Sequence, residues 1–141
     1  MRPIQFLTAQ AIFDRAVDHL LDQRHAALLP RGGAAYRTGC GGCPIGSFIR
    51  PSDYTSTIEG VPVRFLNADP LSRPAYMDAG VAALRRALLR AKINVYDERM
   101  VQLLSCLQNV HDVFAVSEWE TRLTSIARQF NLSCARLERA A

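Results

Sequence analysis

The chain has 141 residues, 49% hydrophobic and 21% charged, with a net charge of +4. That length suits one domain with a real core and leaves little room for two, and the composition excludes an intrinsically disordered chain. No run approaches the ~20 apolar residues of a membrane span, and Gln5, Gln10 and Asp14 interrupt the N-terminal stretch, so no secretory signal is read there.

A soluble cytoplasmic protein is the resulting expectation. In that compartment Cys40, Cys43, Cys106 and Cys134 are expected as thiols, metal ligands or catalytic groups rather than disulfides. The net charge equals that of one short segment holding Arg85, Arg86, Arg90 and Lys92. A pI near 9.2 permits nucleic-acid contact without arguing for it.

Over 9–24, Ala9, Ile12, Phe13, Ala16, Val17, Leu20 and Leu21 recur at three and four, one helical stripe with Thr8 as N-cap. The opposite face carries Asp14, Asp18 and Asp22, whose like charges repel weakly unless cations meet them. Residues 28–42 are broken by Pro30 and five glycines, with a short extended piece expected over 34–38. Pro44 suits the first position of a short helix over 45–50, which Pro51 stops. Ser52 or Asp53 is a candidate cap for a further turn ending at Gly60. The alternation over 61–66 predicts an edge strand, because Pro62 cannot donate to a ladder.

From Pro74 onward the pattern is almost wholly helical. Met77, Val81, Leu84 and Leu88 form one stripe, with Arg85, Arg86 and Arg90 around its flank. Asn94 breaks it and Asp97 restarts a helix whose stripe is Met100, Leu103, Leu104, Leu107 and Val110. Ser117-Glu118-Trp119-Glu120 reads as a capping box opening a last helix that buries Trp119, Leu123, Ile126, Ala127 and Phe130. Residues 133–141 are left as a final turn or a frayed tail. The expected fold is a single, mainly α domain over 1–141, α+β at most. It has about four to five helices, a Gly-rich loop and no more than a small β element. Short connections make its helices antiparallel neighbours.

Three chemistries compete for Gly39-Cys40-Gly41-Gly42-Cys43-Pro44-Ile45-Gly46. With Pro44 opening a helix, Cys43 falls at the N-cap, where backbone N–H groups favour a thiolate. His111, at the end of a core-facing stripe, is then a candidate base. Asp112 would orient it, and backbone N–H groups over 43–45 would form an oxyanion hole, giving a Cys-His-Asp hydrolase or transferase. Alternatively Cys40 and Cys43 have knuckle spacing for zinc, with His111 as a third ligand, although no second Cys pair or His pair completes the set. A redox pair fits less well, because 34–38 is too short and polar for the strand such motifs follow. The plainer account is a tight turn with packed cysteines. Arg85, Arg86, Arg90 and Lys92 offer phosphate contacts, but Arg122, Arg128 and Gln129 give a helix-turn-helix reading little to place in a groove.

Tyr36-Arg37, Cys43-Pro44-Ile45-Gly46, Tyr54, Glu59-Gly60, Leu107-Gln108 with His111-Asp112, and Trp119 with Leu123 stand in a telling order. Over about 34–132 the chain resembles a loose family of small uncharacterised phage and prophage proteins. That family carries a Cys-Ala-Tyr-Arg segment, a Cys-Ala-Ile-Gly turn, a Glu-Gly ending and a Leu-Gln-x-x-His-Asp helix. Ala34 stands where that family often has a cysteine, which weakens a metal site, and Pro44 replaces its alanine. The resemblance implies a phage-type accessory protein that binds a host or phage macromolecule, a protein above all. Tyr36, Arg37, Tyr54 and Glu59 are the candidate recognition surface, with no membrane, cofactor or activity of its own.

Overall fold

The computed structural model describes residues 5–30 and 32–140; of the expected 1–141 domain, 1–4, 31 and 141 lie outside these. Its α-helices are α1 (Ala9–Gln23), α2 (Asp78–Arg90), α3 (Glu98–Val113), α4 (Trp119–Gln129) and α5 (Ala135–Ala140). Between α1 and α2 the described residues make six short 3-10 turns, from Gly46–Phe48 to Ala75–Met77. The mainly helical expectation holds, and the small β element reduces to two isolated bridges, Leu28 with Ala34 and Thr38 with Gly41. Among the described residues no helix is long and apolar enough to cross a membrane.

The apolar stripe of α1 is fully used. Ile12, Phe13, Ala16, Val17 and Leu20 are 0% exposed, and each large member gives roughly 1.5–3 kcal/mol of transfer free energy before entropy is charged. Thr8 Oγ1 accepts from the Ala11 N–H at 3.1 Å, and Arg24 ends the helix in the left-handed region at φ 55°. α1 packs on α3, α4 and α5, and α3 packs on α4. α2 behaves differently. Its partners are the 3-10 turns at Pro51–Asp53, Ser56–Ile58 and Val63–Leu66, and the last of these also lies against α3. The irregular segment is therefore a packed layer linking α2 to α3.

The tail forms the short helix α5 over Ala135–Ala140. α5 is held to α1 by Gln10, whose side chain bonds both the N–H and the carbonyl of Ser133. Arg136 binds Asp18 with two bonds of 2.7 Å. The acidic ridge of α1 thus meets a cation, and the Arg136 guanidinium is held still more firmly protonated by the bond to Asp18. Leu137, 6% exposed, completes the seam.

Three local expectations are corrected. The strand over 61–66 is a 3-10 turn, Val63–Leu66. Its buried residues Val63 and Leu66 sit three apart, the period of that helix, and the Val63 N–H donates to Gln108 Oε1 at 3.0 Å instead of to a strand. Ser52 and Asp53 do not cap the turn before Gly60; Thr55 does, accepting from the Thr57 N–H. The capping box at Ser117 is replaced by a turn at Val116–Glu118 leading into α4. There Glu118 accepts from the Ala115 N–H at 3.4 Å, and Ala115 has no oxygen with which to reciprocate, so only half of the motif exists.

Candidate functional site

The Gly-rich loop owes its course to five polar side chains, those of His19, Gln23, Tyr36, Arg37 and Glu59. Glu59 accepts from the Tyr36 N–H at 2.8 Å, the Arg37 N–H at 3.2 Å and the Tyr54 hydroxyl at 2.7 Å. Gln23 Oε1 accepts from the Gly42 N–H at 3.0 Å, and His19 Nε2 donates to the Gly42 carbonyl at 2.7 Å. The Tyr36 hydroxyl donates to the Val61 carbonyl. The Arg37 guanidinium donates to the Ile49 carbonyl at 2.5 Å and lies 5.0 Å from the Tyr54 ring centroid.

These bonds revise the expected recognition surface. Tyr36 is buried at 4% exposure, and Arg37, Tyr54 and Glu59 are half-buried and bonded chiefly to one another and to the loop backbone. Burial, followed by the bond to Glu59, pushes the Tyr54 phenol up to about 12, and burial raises Tyr36 well above its ordinary value.

Cys43 is not an N-cap. Its N–H donates to the Ala35 carbonyl at 2.9 Å, the Pro44 carbonyl takes the Ser47 N–H, and the 3-10 turn begins only at Gly46. The backbone N–H groups of Gly46 and Ile45 do favour negative charge on its sulfur, much as the N-cap argument required. Burial outweighs them. At 1% exposure the thiol is pushed up to about 12, first by desolvation and then further by the Asp112 carboxylate. A thiol held there is protonated throughout the neutral range and is a poor nucleophile.

His111 and Asp112 are brought together despite being adjacent. At the last turn of α3 the imidazole Nδ1 lies 2.7 Å from Asp112 Oδ1. The other nitrogen, Nε2, accepts from the Ala27 N–H at 2.9 Å. An Nε2 that accepts must be unprotonated, so the ring carries its proton on Nδ1 and donates it to Asp112. Both nitrogens are thereby occupied, and neither is bonded to Cys43. The ring is buried beside Trp119, centroid to centroid 6.1 Å, whose Nε1–H donates to the Phe114 carbonyl at 3.1 Å. Cys40 is exposed while Cys43 is buried. Among the described residues no group of three or more His, Cys, Asp or Glu is placed to hold a metal ion.

Around these groups lies a cleft of about 510 Å³, lined by Leu29, Tyr36, Cys43, Gln108, Asp112 and Val113 among others. Val113 stands at its edge at 67% exposure, and Leu28, beside Leu29 in the chain, is 58% exposed. Sequence reasoning missed His19 and Gln23 as loop anchors. Their spacing of four on α1, off the apolar stripe, was the available signal. The Ala27 N–H, a backbone group, carried none.

The fold and this site define a small helical domain whose irregular loop is locked by buried polar groups against α1 and α3. No family model matches the chain, and no curated protein or solved structure does either.

Proposed function

We propose that this protein works by binding another protein through the cleft beside α3 and carries out no reaction of its own. The observation that carries this reading is the engagement of the candidate catalytic groups. Both His111 nitrogens serve the fold, Gln108 Oε1 holds the Val63 N–H, and the Cys43 thiol is buried and protonated. What the cleft offers outward is its shape and the apolar side chain of Val113, with the exposed Leu28 next in the chain to the lining residue Leu29. On the resemblance read in the sequence, the partner proposed is a phage or host protein.

The opposing reading, thiol-dependent hydrolysis or group transfer through Cys43 and His111, requires an exposed thiolate and a free imidazole nitrogen. A photo-crosslinking residue placed at position 113 in producing cells tests the binding reading. Crosslinks to one protein species are expected from position 113 and not from position 71, which is more exposed, 94% against 67%, but does not line the cleft. Leu28→Glu, next in the chain to the cleft-lining Leu29, should reduce their yield about tenfold. No adduct, or the same adducts from both positions, would overturn the proposal.

A further inference from the structure

A second face, built on α2, carries a different inference. Most of the arginines have work inside the fold. Arg15, Arg37, Arg64, Arg99 and Arg122 lie over aromatic rings. Arg50, Arg73 and Arg136 pair with aspartates. On α2, Arg85 reaches the Leu66 carbonyl at 3.4 Å and Arg90 reaches Asp53 at 3.2 Å. Arg86, exposed between them, has no ion pair among the described residues.

Arg86 lies where two hollows meet. One is a groove of about 420 Å³ lined by Ala82, Arg85, Arg86, Leu89, Arg90 and Tyr96. The other, about 220 Å³, lies over the 52–55 turn and shares Arg86 and Arg90 with it. Among the described residues Asp53 is the sole acid lining either, and its carboxylate is already taken by Arg50 and Arg90. The Tyr96 ring is 73% exposed at one edge of the groove, although its backbone N–H is fixed to Asn94 Oδ1.

We propose that this groove binds single-stranded nucleic acid, with Arg86 and its neighbours on phosphates and Tyr96 stacking against a base. An open cationic surface beside an exposed aromatic side chain is the arrangement that unpaired strands use. Duplex recognition calls for the opposite shape, an element projecting into a groove of the DNA, whereas the α2 arginines line hollows. Arg86 and Arg90 are four residues apart, so their side chains follow one another along the same helix face. The sequence marked Arg85, Arg86, Arg90 and Lys92 for phosphate contacts; the aromatic partner, six residues after Arg90, became visible only once the chain folded. Lys92 does not line the groove.

Anisotropy of a labelled oligothymidylate of about twelve nucleotides, titrated with the full chain between about 50 and about 200 mM salt, tests this. Binding is expected with a dissociation constant on the order of 10–100 µM at the lower salt. Arg86→Ala should weaken it severalfold and reduce the steepness of the log–log salt dependence by about 0.7. Tyr96→Ala should weaken it about tenfold with that steepness unchanged, and Tyr96→Phe should restore it. Both positions are exposed, and far-UV dichroism checks that the variants fold. Absence of binding would overturn the proposal, as would binding indifferent to these substitutions. So would an equal loss in Arg128→Ala on α4, or tighter binding of a duplex or a polyglutamate peptide of matched length.

Discussion

Replacing Gly46 with alanine is expected to destabilise the protein by about 3 kcal/mol or more, lowering the melting temperature by roughly 10 °C. A Cβ at Gly46 would stand 1.9 Å from the Tyr36 carbonyl oxygen, 2.7 Å from its carbon and 3.1 Å from its Cα. All three are backbone atoms, so no rotamer change relieves the overlap. Gly42 approaches the same carbonyl from its own position in the turn, with a Cβ distance of 2.0 Å. The Tyr36 carbonyl is therefore closely approached by both glycines, and a side chain at either position would meet it. Two further substitutions calibrate the effect. Gly60 has φ +82° and open space around it, so Gly60→Ala should show backbone strain alone, about 1 kcal/mol. Gly39 has neither constraint, and Gly39→Ala should be nearly neutral. Thermal melts of the three variants check the ranking, and equal effects would show that this close approach is not what fixes the loop.

Glu59→Ala is expected to be comparably damaging, on the order of 3 kcal/mol. It strips the acceptor from two backbone N–H groups and one hydroxyl, and the cost of unsatisfied donors exceeds the worth of an average hydrogen bond. Glu59→Gln should lie between that variant and the wild type, because an amide offers one oxygen where the carboxylate offers two. Tyr54 supplies an independent readout by ultraviolet titration. Its midpoint of about 12 rests first on burial and then on Glu59, so it should fall partway towards the ordinary ~10 in Glu59→Gln. The linkage has a definite sign. A phenol with a raised folded-state pKa contributes stability that is present below about 10 and lost as pH climbs through about 12. Alkaline unfolding of the wild type should begin in that window and lose part of its pH dependence once Glu59 is neutral.

The helices were legible because their stripes are long and periodic. α1 with its Thr8 cap and the Asp97 restart of α3 follow from spacing and capping chemistry that act over one or two turns, and the Trp119 helix follows from its spacing. The 46–77 layer was not legible for a related reason. Its 3-10 turns are three or four residues long, too short for a period, and their conformation is set by distant partners such as Gln108 on α3.

The candidate site was legible in its parts rather than in its arrangement. His111 and Asp112 do associate, and backbone N–H groups do favour charge at the Cys43 sulfur. Spacing could not reveal that the Ala27 N–H would occupy His111 Nε2, nor that Cys43 would be sealed from water. Tyr36, Arg37, Tyr54 and Glu59 illustrate the same limit. Clustered polar and aromatic residues look alike in sequence whether they face a partner or one another, and here Glu59 binds two of their N–H groups and a hydroxyl.

The most direct test of the central claim is the alkylation rate of each cysteine, resolved by peptide mass and followed against pH with and without a chelator. With Cys43 a buried, protonated part of the scaffold, Cys40 should react promptly. Cys43 should stay protected across the neutral range in both conditions, reacting only as fast as the domain opens. Rapid modification of Cys43 with a midpoint below the free-thiol value of ~8.5 would contradict this and return the protein to the thiol enzymes. Modification of Cys40 and Cys43 only after chelation would contradict it equally and make the turn a metal knuckle.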